Sequence, residues 1–310
     1  MKKVFIDGSA GTTGLRILER LSGRPDIELI RLSEELRKDS AARKQALNSC
    51  DIAFLCLPDA AAIEAVNMIE NENVVVLDTS TAHRTSDGWA YGFPELSKAH
   101  FEKVASAKRI AVPGCHASGF IALVYPLIEK GILSSDVLLT CHSITGYSGG
   151  GKNMIAQYEG SERDATLDSP RQYALGQTHK HLPEMKKITG IENEPVFCPI
   201  VSDFYSGMAV TVPLFKSQLN DGFGVEDIKS IYKEKYNTDI VSYKESIDES
   251  GFIGANALSF KDSMQITVSG NEDRILLIAR YDNLGKGASG AALECMNISM
   301  GVSPSEMLDI

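Results

Sequence analysis

Apolar residues recur in short blocks through the first third of the chain. Val4-Phe5-Ile6 is too short for a helix and predicts a buried strand. Behind it, Leu15, Ile17, Leu18 and Leu21 fall on one helical face, so a helix follows directly. Residues 26–32, 51–57, 73–78 and 109–112 predict further strands, residues 60–69 a further helix, and the polar residues 34–48 an exposed loop and helix. Strands and helices in alternation imply an α/β fold, with a doubly wound parallel sheet of the Rossmann type covered on both faces.

From residue 115 the pattern changes. Residues 120–130 read as a helix that Pro126 must kink or restart. Longer alternating or apolar runs follow at 137–144, 208–214, 264–268 and 274–281. The last two flank the turn Asn271-Glu272-Asp273 and predict an antiparallel hairpin. Residues 225–236 predict a surface helix packed on such a sheet, and a glycine-rich loop leads into a final helix. The expectation is a first domain at residues 1–114, rejoined by 284–310, and a second, α+β domain at 115–283.

Composition narrows this picture. With 310 residues, 43% of them hydrophobic, the chain can bury a large core without covalent staples. Its six cysteines are scattered without paired spacing, which predicts reduced thiols in a cytoplasmic protein. The formal net charge of −10 argues against nucleic acid as a partner, so an anionic small molecule would need a locally positive pocket. No apolar stretch is long enough to span a bilayer, and no membrane association is expected.

The candidate chemistry sits where strands end. Gly8, Gly11 and Gly14 follow the first strand and let the backbone approach a pyrophosphate at a helix N-terminus. After the second strand comes Arg31-Leu32-Ser33 with no acidic residue, which favours the 2′-phosphate of NADP, although Glu34 and Glu35 follow. Pro113-Gly114 then places Cys115 at the start of a helix, where amides and dipole stabilise a thiolate. Such a cysteine needs a proton-transfer partner, and the dense candidate is the stretch 176–184, with His179 and His181. Alternate residues of an extended segment point apart, so no metal is expected there. The stretches 78–84, ending in Arg84, 146–152, and 283–290, beginning with Asn283, could line one anionic site.

VPGCHASGF, DTSTAHR, SITGYSGGGK, HKHLPEM and NLGKGASGAALECMN, in that order, closely resemble the N-acetyl-γ-glutamyl-phosphate reductases of arginine biosynthesis. The histidine after the cysteine resembles their shorter type, and Ser118 stands where threonine is more usual. The resemblance runs from the first glycine loop to the last helix. It implies a dinucleotide domain joined to a catalytic and dimerisation domain, a homodimer or homotetramer, and NADPH-dependent reduction of an acyl phosphate to an aldehyde. It further implies Cys115 as nucleophile, His179 as acid/base and Glu184 as its orienting partner. Arg84 and the His179–His181 segment would border the substrate. Gly11, Thr12, Thr13 and Gly14 would hold cofactor phosphates, and the loop from Asn283 would guide the cofactor beside the cysteine. Aspartate-semialdehyde dehydrogenase is the nearest alternative, and a nucleotide-sensing regulator on the same fold is one of another class.

Overall fold

The five early apolar blocks form strands in the computed structural model, which describes residues 1–310, and a short sixth strand that they did not announce joins the same sheet. The chain divides into two units, the first made of Met1–Pro94, Lys98–Gly114 and Ala288–Leu308. Its elements are β1 (Lys2–Asp7), α1 (Thr12–Leu21), β2 (Ile27–Ile30), α2 (Ser40–Ser49), β3 (Ile52–Leu55), α3 (Asp59–Asn67), β4 (Val75–Asp78), β5 (Ala90–Tyr91), α4 (Lys98–Ser106) and β6 (Arg109–Ala111). The sheet runs β2-β1-β3-β4-β6-β5, every neighbouring pair parallel. From β1 the chain crosses to β2 on one side and then to β3 on the other. That reversal opens a crevice at the carboxyl ends of β1 and β3, the usual ligand position in such sheets.

Both faces of this sheet are covered. Ile17 and Leu21 of α1 join Val104 of α4 and Ala292 and Met296 of the chain's last helix on one side. Ala46 and Leu47 of α2 join Ala65 of α3 on the other. Each large side chain so buried contributes roughly 1.5–3 kcal/mol. The helix expected within 34–48 starts at Ser40, because the Asp39 carboxylate accepts from the Ala42 N–H (2.8 Å) and caps it.

The second unit comprises Glu95–Ser97, Cys115–Gly287 and Asp309–Ile310. It contains α5 (Cys115–Glu129), β7 (Thr140–Gly146), α6 (Gly151–Glu159), β8 (Arg171–Gln172), α7 (Leu182–Thr189), β9 (Val196–Ser202), β10 (Met208–Phe215), α8 (Val225–Lys235), β11 (Val241–Tyr243), β12 (Met264–Gly270) and β13 (Arg274–Tyr281). The last helix, α9 (Gly290–Met300), lies in the first unit, where the chain returns at Ala288. The seven-stranded mixed sheet has the order β11-β12-β13-β10-β7-β9-β8, with β12 and β13 as the antiparallel hairpin. Strand β9 escaped the sequence pattern because Pro199 interrupts it; Pro199 sits mid-strand, and its carbonyl accepts from the Tyr173 N–H at 3.0 Å.

Pro126 does not restart α5. The helix runs unbroken to Glu129, and the carbonyl that Pro126 cannot reach, that of Ala122, accepts from Tyr236 Oη instead (2.6 Å). A buried tyrosine of the segment following α8 thus supplies the missing donor. No helix is long and apolar enough to cross a membrane.

Candidate active site

In the first unit, β1 ends at Asp7 and the chain turns at Gly8, whose φ is +87°. A Cβ at Gly8 would stand 2.3 Å from the carbonyl oxygen of Cys56, so only glycine lets the turn lie on the end of β3. Gly11 precedes α1 as its cap residue, Thr12 and Thr13 form the first turn, and Gly14 is on the buried side. No side chain caps this helix, and Thr12 Oγ1 is shielded with no protein partner. Free first-turn amides, the positive end of the helix dipole and an unpaired hydroxyl together suit a phosphate group. The residues therefore fit a dinucleotide.

Beyond β2, Arg31 and Ser33 are both exposed, and Arg31 Nη2 reaches Ser22 Oγ at 3.1 Å. Glu34 is engaged by Arg37 at 2.7 Å. Arg84 is buried, and it directs Nε at the Val112 carbonyl and Nη2 at the Thr79 carbonyl, each at 2.9 Å. These two bonds brace the strand end that leads to Cys115. The rest of the 78–84 loop also turns inward: buried Asp78 accepts from Ser80 and pairs with His83 Nδ1 (2.6 Å).

The second unit begins with Cys115, half-buried at the N-terminus of α5. Tyr281 Oη donates to the Cys115 carbonyl (2.5 Å) and accepts from the Gly119 N–H (3.0 Å), inserting itself where the first turn's own hydrogen bond would close. A Cβ at Gly119 would lie 2.6 Å from that hydroxyl, so glycine is required for the insertion. A Cβ added at Gly287 would approach Cys115 Cβ to 3.1 Å. The cysteine's backbone is thus held from two sides. By contrast, burial pushes the Cys50 and Cys56 thiols up to about 12, which leaves them inert.

Around His116, the next residue after Cys115, four rings gather. His116 lies 5.8 Å from the His179 ring, 5.6 Å from His181 and 5.3 Å from Phe197, centre to centre. Gln177 places the loop: its side-chain amide donates to the Phe197 carbonyl (2.7 Å) and accepts from the Phe197 N–H (2.8 Å), with its own φ at +54°. His179 is half-buried and its Nδ1 accepts from the His181 backbone N–H (3.2 Å). Burial, with Lys180 adding to it, lowers the His179 pKa, so the ring is neutral at pH 7 and carries its proton on Nε2. That backbone donor makes the hydrogen bond to Nδ1. Glu184 is buried in the first turn of α7, within electrostatic reach of Tyr281. His181 is the buried N-cap residue of α7.

Two further stretches are bonded within the chain. Asn283, expected at the cofactor, uses its amide to donate to Ser148 Oγ (3.0 Å) and accept from the Gly207 N–H (2.9 Å). Its partner loop is occupied as well, since the N–H groups of Tyr147 and Ser148 donate to the carbonyls of Phe204 and Tyr205. Lys286 is buried against Glu95 (2.7 Å) and offers no free charge to an anion. Sequence reasoning missed Tyr173, Gln177 and Tyr281, because their roles rest on contacts with residues 20 to 166 positions away.

The profile of the semialdehyde dehydrogenase NAD binding domain matches residues 3–104, and that of the semialdehyde dehydrogenase dimerisation domain matches residues 115–283. The chain is 43% identical to the N-acetyl-γ-glutamyl-phosphate reductase of Trichormus variabilis, with 98% of each chain covered. It is 44% identical to that of a Chelativorans strain, covering 96% of this chain and 98% of the relative. Among solved structures it is similar to aspartate semialdehyde dehydrogenase II from Vibrio cholerae, with a TM-score of 0.73, 16% identity, and 97% and 98% of the two chains covered.

Proposed function

The chain belongs to the family of N-acetyl-γ-glutamyl-phosphate reductases, within the semialdehyde dehydrogenases, and on that premise we propose that it reduces N-acetyl-γ-glutamyl 5-phosphate to N-acetylglutamate 5-semialdehyde with NADPH. Phosphate is released, and the reaction is a step of arginine biosynthesis. The observation that carries this reading is Cys115, half-buried at a helix N-terminus and clamped through its own backbone, with the neutral His179 packed against the ring of its chain neighbour His116.

Cys115 Sγ attacks the acyl carbon, the bond to the phosphate oxygen breaks, and a thioester remains on the cysteine. The first amides of α5 favour both the thiolate and the oxyanion that forms next to it. Gly8, Gly11, Thr12, Thr13 and Gly14 would hold the cofactor's phosphates, and Arg31 with Ser33 would take its 2′-phosphate. NADPH, when bound, supplies the hydride. His179, the more open histidine of its pair, shares its Nε2 proton with the acyl oxygen while that oxygen carries charge. As the C–S bond breaks, the aldehyde leaves and the Cys115 thiolate is restored. His181 and Arg84 border the substrate.

The same reading makes the protein a homodimer or homotetramer. One face of the second sheet leaves Leu138, Val196, Phe215 and Leu276 exposed, a surface suited to a second copy.

The test runs the reaction in reverse, with N-acetylglutamate semialdehyde, phosphate and NADP or NAD, following absorbance of the reduced cofactor. Phosphate-dependent reduction, stronger with NADP and lost in Cys115→Ala, is the expected result. Activity that survives in Cys115→Ala sinks the thioester; activity only with the aspartyl aldehyde reassigns the substrate.

A further inference from the structure

The histidine next to the nucleophile has no part in the chemistry above, yet its surroundings are built with care. His116 is 3% exposed. Its Nδ1 lies 2.7 Å from Ser143 Oγ, and its Nε2 lies 2.7 Å from Tyr173 Oη. Ser143 is fully buried, and His116 Nδ1 is its hydroxyl's hydrogen-bond partner.

Proton accounting fixes the direction of this chain. If Nδ1 carried the ring proton, Ser143 would accept it and its own buried hydroxyl proton would have no acceptor, which costs about 1–3 kcal/mol. Ser143 therefore donates to Nδ1. A neutral ring then carries its proton on Nε2, and Nε2–H donates to Tyr173 Oη. The ring does stay neutral, since burial, with His179 adding to it, pushes its pKa down to about 3. Tyr173 accepts from the histidine and so points its own proton away from it. Burial and the nearby Cys115 both raise the Tyr173 pKa, which keeps that proton in place.

We propose that Ser143, His116 and Tyr173 form a one-way hydrogen-bond chain that presents the Tyr173 hydroxyl as a donor to the acyl oxygen of the substrate on Cys115. The inference rests on Cys115 as the nucleophile of the proposed reaction. Tyr173 is then a catalytic residue, and His116 and Ser143 are positioning residues. No net proton transfer is needed, because the hydroxyl stabilises the oxyanion by hydrogen bonding alone. The tyrosine also has the right support, its backbone N–H being tied to the Pro199 carbonyl of β9.

Two measurements test this. The first is nitrogen NMR of protein carrying ¹⁵N-histidine, with the His116 signals assigned by their loss in His116→Gln. A neutral ring protonated on Nε2 from pH 5 to 8 is expected, and a ring protonated on Nδ1 overturns the chain whatever the activity. The second compares kinetics. Tyr173→Phe should lower kcat about 100-fold, as loss of one oxyanion donor does, with KM and the rate of Cys115 alkylation by iodoacetamide nearly unchanged. His116→Phe should match it. His116→Gln, which keeps an N–H donor near the Nε2 position, should recover most of the loss, which a purely structural role would not produce. Wild-type kcat in Tyr173→Phe overturns the donor role. A wild type inactive with this substrate overturns the functional reading and Tyr173's substrate role with it, while the tautomer still decides the chain.

Discussion

Two helices of this chain start just after a strand and a glycine-bearing turn, and their first turns are treated in opposite ways. At α1 the first turn is left open: no side chain caps it, and Thr12 Oγ1 has no protein partner. At α5 the first turn is closed: Tyr281 is inserted between the Cys115 carbonyl and the Gly119 N–H, and Gly287 crowds the cysteine. An open helix start suits a ligand that must come and go on every cycle, because the ligand itself completes the hydrogen bonds. A closed one suits a nucleophile, whose direction of attack must be fixed before the substrate arrives.

The contrast breaks most severely at Gly8. In Gly8→Ala the new methyl would meet the Cys56 carbonyl at 2.3 Å, with the backbone in the left-handed region. Displacing the turn by that much should weaken binding of the reduced nicotinamide cofactor by about 100-fold or more in a fluorescence titration. Gly11→Ala meets nothing closer than 3.4 Å and should weaken binding by less than about tenfold. Equal effects from the two would mean that the turn's approach to β3 is irrelevant to the cofactor.

The closed start is next. Gly119→Ala puts a methyl 2.6 Å from Tyr281 Oη and 2.7 Å from Val210 Cγ2. It should destabilise the protein by about 1–3 kcal/mol in denaturant melts. Tyr281→Phe removes only the bridging hydroxyl and should cost about 1–2 kcal/mol. Both should lower kcat while cofactor affinity holds. A parallel loss of cofactor affinity would show that the two helix starts are not independent.

A last effect, seen only on acidification, is on stability. Burial, with His179 adding to it, pushes the His116 pKa down to about 3 from the 6.5 of an ordinary imidazole. Between those values the unfolded chain binds more protons, so stability rises with pH across the window and falls on acidification. The Tm of the wild type should therefore drop between pH 6.5 and 4 more steeply than that of His116→Gln. Identical slopes would mean that His116 is not held neutral.

Much of the first unit was legible because its signals are local. Short apolar blocks alternating with helical faces gave the parallel strands, and glycines at 8, 11 and 14 marked the turn into α1. The second unit was harder. Pro126 read as a helix breaker because nothing near it in sequence announces Tyr236, 110 residues on, as donor to the exposed carbonyl of Ala122. Pro199 concealed β9 in the same way. The stretch 283–290 read as a possible wall of an anionic site, since residue type shows a charge or an amide but not the partners it already has, Ser148 for Asn283 and Glu95 for Lys286.

The sequence alone determined the order of elements, the glycine turn and the cysteine at the head of a helix, because each follows from backbone preferences within a few residues. Only the tertiary structure decided which polar groups remain available. Hydrogen bonds are used up by partners that residue type does not announce: Arg84 by the carbonyls of Val112 and Thr79, His179 Nδ1 by the backbone of His181, and Ser143 by His116. A side chain's chemistry belongs to its residue type, whereas its availability belongs to its neighbours, and folding chooses those.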